Sequence, residues 1–450
     1  VTLDDALWIS DDFGDNWTSI GFLNTGARRS ELVGSEAGGP TLYVVTKKEG
    51  AHRLHRSEDG GATWDIMHDV EDYWSSLAAS IEDPDLFAWG GVELHVTRDG
   101  GETFSLQNHW YDYYEDIDNK LHADIPGIDV LPDPDGEGEI WYVSTDGGLY
   151  HSLDALQSVE NLALHGLRVS QYYTTHTSIA NPNHVAAGAQ DQGYQRTETA
   201  LPDDGLYSFT QHISGDYARH TSTDGSHNYL FSLYPGFLLI HVGEDTPNLV
   251  GADFPTDERY AWLPALTADP LDEQRVYFGA SRLYVYTRVD TSWDWIPTAV
   301  SDVLASGQDE YISDIDFSPV DPALGWLITN QGRLFKTEDN AETWTAVSMP
   351  EIDGHYFYGQ ALLPSKTRRD TLTIGGNGYS NPGVYRTEDG GASWQDWSSG
   401  MPNTMVYCLG EPNDDSGVVF AGTETAAYRR GPADQNWQDI TSNKAPVTIY

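Results

Sequence analysis

Five polar residues stand in short segments that could carry chemistry: His122 and Asp124 in LHADI, Asp146 in STDGG, Asp191 in AQDQG and Asp216 in SGD. Carboxylates that share a pocket push each other's pKa apart, so one can act as an acid while another stays ionised. Glycoside hydrolases use such a pair, and its separation distinguishes retention from inversion. We therefore predict that Asp146, Asp191 and Asp216 are the catalytic candidates.

The same segments allow two other interpretations. Calcium takes six to eight oxygen ligands, and aspartates on turns suit it, whereas a histidine ligand suits zinc or manganese better. In H-x-D, the side chains of His122 and Asp124 point to the same side of a strand, as joint ligation of a metal requires. Alternatively, the five polar side chains hydrogen-bond each other and seal a channel. The metal prediction is therefore a site at His122 and Asp124, with calcium as the cofactor to test.

An aromatic segment, NHWYDYYEDID at 108–118, precedes LHADI and interrupts the pattern of the chain. Rings beside acids suit sugars, because apolar ring faces stack on C–H groups while carboxylates bind hydroxyls. Trp110, Tyr111 and Tyr113 are therefore predicted to bind substrate, together with Tyr150 and Tyr194. The alternative is a loop that packs over the edge of the fold.

Repeats position these residues. The clearest units end at an aromatic residue, and about ten units follow one another at a spacing of roughly 40–54 residues. The clear unit ends are Trp17, Trp64, Phe104, Trp344 and Trp394. Residues 311–347 show the pattern of one unit, which is four short strands separated by turns. This period predicts an all-β fold, a β-propeller of four-stranded blades in one ten-bladed ring.

The turn between the second and third strands recurs at the same place in each unit. Asp146 and Asp191 fall in this turn, while His122, Asp124 and Asp216 are expected to open the first strand of their units. We therefore expect the five residues to converge from three consecutive blades on one mouth of the propeller axis.

A second turn, S/T-x-D-G-G-x-T-W, lies between the third and fourth strands. Its glycines adopt positive φ, its aspartate accepts backbone N–H groups, and its tryptophan packs between sheets. Its aspartates are predicted to stabilise the fold, and they are Asp12, Asp59, Asp99, Asp339 and Asp389.

The S/T-x-D-x-G-x-x-W turn resembles the Asp-box, or BNR repeat, of sialidases, xyloglucan-cleaving endoglucanases and the ten-bladed Vps10 propellers of sortilins. The order H-x-D, D-G-G, Q-D-N-G and G-G-D is similar to that of bacterial secreted Vps10-like propellers, although Gln192 and Ser214 replace the usual Asn and Gly. STDGGLYHS also resembles a segment of xyloglucan-cleaving propellers whose aspartate is catalytic. That resemblance implies that Asp146 is the base, with Asp191 or Asp216 as the acid.

The charge of the chain limits its partners. The sequence carries 24 Lys+Arg against 70 Asp+Glu, a formal net charge of −46, and its lysine-poor, acidic composition fits a salty habitat. This field repels nucleic acids and anionic membranes, so neither is an expected partner. The absence of a long apolar run predicts no membrane insertion. The one cysteine, Cys408, is expected to be a buried apolar residue.

Two functions follow from the sequence. In the first, a secreted single-domain propeller spanning residues 1–450, with 446–450 completing its first blade, hydrolyses a neutral polysaccharide. In the second, it is a non-catalytic binding or extracellular assembly module of the sortilin kind for a glycoprotein or peptide, with bound calcium.

Overall fold

A computed structural model describes residues 2–3, 5–23, 25–27, 29–35, 37–48, 51–136, 138–167, 171–197, 209–243, 248–289, 294–350, 352, 356–377 and 382–441. These residues form ten antiparallel sheets and two short helical segments, the 3₁₀ helix Trp110–Tyr114 and the π-helix Ala163–Leu167. No helix in the described ranges has the length and apolar character that crossing a membrane requires.

The chain groups into two compact units, Val1–Ser170 and Gln171–Tyr450, here called unit 1 and unit 2. Unit 1 contains sheets 1 to 4. The strands of sheet 1 are Thr2–Leu3, Ala6–Ile9 and Thr18–Phe22; those of sheet 2 are Arg29–Ser35, Thr41–Lys48, Ala51–Ser57 and Asp65–Val70; those of sheet 3 are Ser76–Ala79, Phe87–Gly90, Leu94–Thr97 and Ser105–Leu106; those of sheet 4 are Gly127–Pro132, Glu139–Thr145, Gly148–Ser152 and Glu160–Asn161.

Unit 2 contains sheets 5 to 10. The strands of sheet 5 are Tyr172–Thr177, Val185–Ala189, Gly193–Thr197 and Thr210–Ile213; of sheet 6, Ala218–Ser222, Tyr229–Tyr234, Phe237–Val242 and Asn248–Asp253; of sheet 7, Ala265–Ala268, Arg275–Gly279, Leu283–Arg288 and Trp295–Ala299; of sheet 8, Ile312–Phe317, Gly325–Thr329, Leu334–Thr337 and Thr345–Val347; of sheet 9, Tyr358–Pro364, Leu372–Asn377, Val384–Thr387 and Gln395–Asp396; of sheet 10, Val406–Gly410, Val419–Thr423, Ala427–Arg430 and Gln438–Asp439.

Each sheet is a meander in which consecutive strands pair. Sheet 8 confirms the four strands predicted within residues 311–347. Its second strand, Gly325–Thr329, is buried along its whole length, as its unbroken apolar character predicts. Sheet 1 has three strands in its described part, one more than the sequence suggested. The proposed closing segment 446–450 lies outside the described residues.

Within each unit, neighbouring sheets pack face to face. One core joins sheets 3 and 4 through residues such as Leu94, Trp141 and Tyr150, and another joins sheets 6 and 7 through residues such as Phe231 and Trp295. Consecutive four-stranded meanders packed in this way are consistent with propeller blades. The all-β fold is therefore confirmed, while closure into one ten-bladed ring and the single-domain boundary stay predictions.

The repeated third-to-fourth-strand turn is held by its own side chains. Ser57 Oγ donates to Asp59 Oδ1 (2.8 Å) and accepts from the Gly61 N–H (2.9 Å), while Thr63 donates its N–H and hydroxyl to Asp59 at 2.8 and 2.6 Å. These hydrogen bonds lower the pKa of Asp59 to about 2. The same network occurs at Asp99, Asp339 and Asp389 and in closely similar form at Asp12, so their predicted structural role agrees with the structure.

One such turn escaped the sequence pattern. Ser152 donates to Asp154 at 2.8 Å and Ser158 donates its hydroxyl to Asp154 at 2.7 Å, as in the regular turns. Ala155 and Leu156 occupy the left-handed positions that glycines fill elsewhere, with φ of 59° and 60°. Asp154 is thus the turn aspartate of sheet 4, and Asp146 lies in the preceding turn, between the second and third strands, as predicted.

Candidate functional site

The aromatic segment of unit 1 forms the 3₁₀ helix Trp110–Tyr114, which is fixed at its first residues. The His109 N–H donates to the Asp112 carboxylate at 3.1 Å, and the Asp112 N–H donates to the His109 carbonyl at 3.0 Å. Glu93, between the second and third strands of sheet 3, accepts from the Trp110 N–H at 3.2 Å. These contacts attach the aromatic residues to a sheet, which limits their freedom to move.

Three rings of this segment are open to solvent. The exposed fractions are 45% for Trp110, 53% for Tyr111 and 48% for Tyr114. The Trp110 ring lies 5.8 Å from that of Tyr111 and 6.3 Å from that of Tyr114, both edge to face. We call these three residues the ring platform. Exposed rings this close together are uncommon on a surface that binds nothing.

A chain of contacts leads from the ring platform to the predicted acids. Tyr113, half-buried, packs edge-on against His122 at 4.7 Å between ring centroids. His122 is 95% buried and abuts Gly147, where an added Cβ would lie only 2.3 Å from the His122 Cβ. The Asp146–Gly147 turn therefore rests on His122, and this contact requires a glycine.

Asp124 and Asp146 form an acid pair in unit 1. One carboxylate oxygen of each lies within 4.8 Å of the other, and both side chains are partly exposed. Asp124 has a left-handed backbone (φ 66°) fixed by its N–H, which donates to the Val92 carbonyl at 3.0 Å. His122 is oriented differently, because its Nδ1 lies 3.0 Å from the Ala123 carbonyl oxygen. The structure thus joins Asp124 with Asp146, while calcium binding at His122 and Asp124 stays a prediction.

The other two predicted acids, Asp191 and Asp216, meet each other in unit 2. Asp191 is a turn residue with φ of 53°, and its N–H donates to the Asp216 carboxylate at 3.2 Å. The Gly215 N–H donates back to the Asp191 carbonyl at 3.0 Å, and Tyr173 donates its hydroxyl to Asp216 at 3.3 Å. Asp191 and Asp216 therefore belong to one turn-to-turn contact. Convergence of all five predicted residues on one mouth stays a prediction.

Unit 2 also contains a cavity of about 710 Å³, which we call the strand cavity. The first strands of sheets 5, 6, 8, 9 and 10 contribute to its wall together with the loop before sheet 7. Trp262, 56% exposed, meets Tyr173 edge-on at 5.8 Å. Because Tyr173 also binds Asp216, this cavity adjoins one of the predicted acids.

The sequence interpretation missed Arg219, which lies on this wall, and two aspartates of a neighbouring strand. Arg219 lies 3.6 Å from Asp314 and donates to the Ser313 carbonyl at 3.2 Å. Asp314 and Asp316 alternate with apolar residues in the first strand of sheet 8, ISDIDF, and this alternation was the available signal. Burial raises the pKa of Asp314, and burial together with the Asp314 charge raises the pKa of Asp316 to about 7.

Replacing Asp316 should stabilise the protein at alkaline pH. Below its unfolded pKa near 4, the Asp316 carboxyl is protonated in both states, and its burial does not reduce the free energy of unfolding. As the pH rises to about 7, the unfolded chain ionises first, and the free energy of unfolding falls. We expect Asp316→Asn to raise the free energy of unfolding by about 4 kcal/mol at pH 8 and to change it little at pH 4. Thermal melts at both pH values measure this, with exposed Asp302→Asn as the control. An equal shift at both pH values would refute the ionisation argument.

Two predicted substrate-binding residues do not agree with the structure. Tyr150 and Tyr194 are fully buried, so their side chains cannot contact a ligand. Tyr150 accepts a hydrogen bond from Asn161 Nδ2 at 3.1 Å, and the Tyr194 hydroxyl lies 2.5 Å from His241 Nδ1. Both belong to buried faces of their sheets, where burial raises the pKa of each phenol.

No protein-family model matches the chain. Two curated proteins are similar over a limited stretch, the chloroplastic photosystem II stability/assembly factors HCF136 of Arabidopsis thaliana and of Oryza sativa subsp. japonica. Each is 25% identical over 139 residues, which is 30% of this chain. The match spans about a third of each relative, 33% and 32% respectively.

Solved structures with a similar chain path include β-propellers and glycoside hydrolases. The GH74 xyloglucanase of Xanthomonas campestris is 15% identical, with 91% of this chain and 72% of that chain covered and a TM-score of 0.24. The extracellular domain of the putative one-component system BT4673 of B. thetaiotaomicron is 12% identical, with 90% and 53% covered and a TM-score of 0.44. The Cps50 (Swd1) β-propeller domain of Myceliophteria thermophila is 10% identical, with 63% and 87% covered and a TM-score of 0.43. At these values the similarity carries no argument about activity.

Proposed function

We propose that the protein binds a neutral glycan at the ring platform and acid pair of unit 1. The observation that carries this proposal is the ring platform itself: three exposed rings on an anchored helix, connected through Tyr113 and His122 to two carboxylates. Ring faces stack on the C–H faces of sugars, and carboxylates accept hydrogen bonds from sugar hydroxyls.

The charge of the chain favours a neutral ligand. A formal charge of −46 opposes the approach of an anionic glycan, and the acid pair adds negative charge at the site itself. A glycan of this kind also fits the secreted location predicted from the sequence, which remains part of the proposal.

Removing one ring should remove most of the binding. We expect Trp110→Ala to weaken binding of xyloglucan and other neutral polysaccharides about tenfold or more, because a stacked ring is lost, while Trp110→Phe keeps most of the affinity. Affinity electrophoresis and calorimetry against a panel of neutral polysaccharides measure this. Unchanged affinity in Trp110→Ala, or no binding to any member of the panel, would contradict the proposal.

Glycoside hydrolysis is the second candidate function, and the closeness of Asp124 and Asp146 favours it. Carboxyl groups about 5–5.5 Å apart suit retaining hydrolases, and about 6.5–9.5 Å suits inverting ones. Oxygen atoms within 4.8 Å of each other place the two carboxyl groups close enough to act on one glycosidic bond. In this proposal Asp124 is a further candidate partner of Asp146, while the catalytic roles predicted for Asp191 and Asp216 stay predictions.

One experiment distinguishes glycoside hydrolysis from glycan binding alone. If the acid pair is catalytic, Asp146→Asn and Asp124→Asn each reduce reducing-sugar release about 1,000-fold while polysaccharide still binds. The exposed Asp129→Asn, in the first strand of the same sheet, is the matched control. Binding without any sugar release by the native protein would leave the non-catalytic function standing.

A further inference from the structure

The strand cavity of unit 2 has no part in the function proposed above. Its volume of about 710 Å³ lies within the range of small-molecule binding sites. The first strands of five sheets and the loop before sheet 7 supply its lining, and all of them belong to unit 2. The ring platform belongs to unit 1 and shares none of these residues. Any ligand of the strand cavity is therefore a separate question.

The cavity has an aromatic surface that is open to solvent. Trp262, in the loop before sheet 7, is 56% exposed, and its ring meets that of Tyr173 edge-on at 5.8 Å. Tyr311 and Tyr407 line the same cavity, and both are partly exposed. A tryptophan with more than half of its surface uncovered offers an apolar ring face to a ligand.

Polar side chains lie beside this aromatic surface. Thr174 and Thr175, in the first strand of sheet 5, and Gln360, in the first strand of sheet 9, line the cavity and are at least partly exposed. Within the described part of the chain, none of these three side chains makes a hydrogen bond to the protein. A hydroxyl both donates and accepts, and an amide offers two donors and an acceptor. Such groups suit a ligand that carries several hydroxyls.

The charge at the cavity wall is paired. Among the described residues, Arg219 is the one cation that lines the cavity, and its side chain is 27% exposed. Its Nη1 lies 3.6 Å from an Asp314 carboxylate oxygen, and its Nη2 donates to the Ser313 carbonyl at 3.2 Å. A guanidinium has five N–H donors, so Arg219 retains donors for a ligand while its charge already faces a carboxylate. Together with the formal charge of −46, this arrangement favours a neutral ligand over an anion.

We propose that the strand cavity binds a neutral sugar of one or two rings, with one sugar face against Trp262 and sugar hydroxyls bonded to Gln360 and Arg219. The C–H face of a pyranose is apolar and stacks on an exposed indole, while its hydroxyls pair with amide and guanidinium groups. The proposal depends on contacts within unit 2 alone, so it does not require that the ring platform binds a glycan.

Calorimetric titration of the full chain carrying Trp110→Ala tests this proposal, because that substitution weakens the ring platform as a competing site. The probes are the neutral disaccharides cellobiose, lactose and maltose, together with the uronic acid of whichever binds most tightly. We expect at least one disaccharide to bind and its uronic acid to bind about tenfold more weakly. No binding of the three disaccharides at tens of millimolar would overturn the proposal. Equal or tighter binding of the uronic acid would also overturn it, since Arg219 would then be an anion site.

Variants of the cavity wall place the bound sugar. Adding Trp262→Ala should weaken disaccharide binding about tenfold, whereas Trp74→Ala, at a tryptophan of unit 1 that is 46% exposed, should not. Gln360→Leu should weaken binding about 3- to 10-fold, and Gln274→Leu, at an exposed glutamine outside the cavity, should not. Unchanged affinity in both Trp262→Ala and Gln360→Leu would show that the sugar binds elsewhere. Polysaccharide binding at the ring platform should be the same in the native chain and in Trp262→Ala, so the two proposals can fail separately.

Discussion

Lowering the pH from 7 to about 4 is expected to destabilise unit 2 strongly, because three of its buried histidines are held neutral. Burial is the main cause that lowers the pKa of His220 and His227 to about 3 and that of His241 to about 4. His227 Nε2 lies 2.9 Å from His176 Nδ1, and His241 Nε2 lies 2.7 Å from the Gly243 carbonyl oxygen. A proton on these rings brings charge into a buried site.

The direction follows from linkage. A histidine in the unfolded chain has a pKa near 6.5, so below this pH the unfolded chain binds protons that the folded chain does not. The free energy of unfolding is therefore at its full value above about pH 6.5 and decreases as the pH falls. His220 alone is expected to decrease the free energy of unfolding by about 3 kcal/mol at pH 4. The neighbouring side chains His176, Arg196 and His212 lower these pKa values further and so do not reverse the sign, and burial is the largest cause at each of the three histidines.

The buried histidines and the turn aspartates change the free energy of unfolding in different pH ranges. Asp59, Asp99 and Asp389 have a pKa lowered to about 2, so their contribution is lost only below about pH 4. Asp316 titrates in the same window with the opposite sign, so the measurement is made in the Asp316→Asn background. There, urea unfolding at pH 7, 5.5 and 4.5 reports on the histidines. Adding His220→Leu should make the protein less sensitive to acid, and adding the exposed His68→Leu should not. A flat stability profile of Asp316→Asn between pH 7 and 4.5 would show that the histidines are protonated without cost.

Glu139→Leu is expected to destabilise unit 1 by about 3–5 kcal/mol. The buried Glu139 carboxylate accepts from the Ser80 hydroxyl, the Ile81 N–H and the Trp141 Nε1, each at 2.8 Å. Ser80 follows the first strand of sheet 3, whereas Glu139 and Trp141 belong to sheet 4, so one side chain ties two sheets together. Leucine would leave three donors without an acceptor where water has little access.

Chemical denaturation of wild type and variants measures this effect. Glu139→Gln should fall between wild type and Glu139→Leu, since one amide oxygen still accepts, and the exposed Glu82→Leu serves as the control for charge and hydrophobicity. If Glu139→Leu unfolds at the same denaturant concentration as wild type, the inter-sheet hydrogen bonds contribute nothing.

The local parts of the fold were predictable from the sequence. The alternation in residues 312–317 and the apolar run at 325–329 define strands because pleated backbone places side chains by a period of two. The turn at Asp59 is recognisable because all its donors lie within a few residues of the aspartate. The turn at Asp154 was missed because the pattern demands glycine, whereas Ala155 and Leu156 adopt positive φ there.

Contacts between segments distant in the chain were less accessible. Tyr150 and Tyr194 follow turns that carry candidate acids, but in a strand each residue points to the face opposite its neighbour's, and both face the core. The first two strands of sheet 4 lie between Asp124 and Asp146 in the sequence, so no local pattern indicates that their carboxylates come within 4.8 Å of each other. The Arg219–Asp314 pair joins sheets separated by about 90 residues, and no local pattern indicates it.

The aspartates of the turns that follow the third strands, such as Asp59 and Asp389, accept their hydrogen bonds from side chains and N–H groups of the same turn. The serine, aspartate and threonine of one short stretch hydrogen-bond to each other. A block of strands with its turn can therefore be duplicated or deleted by recombination while these hydrogen bonds stay intact. Contacts such as that of Glu139 cross from block to block, and a new copy must recreate them. A substitution is therefore expected to cost more at the faces between blocks than at their tips, where Asp154 holds the turn with Ala155 and Leu156 in the left-handed positions.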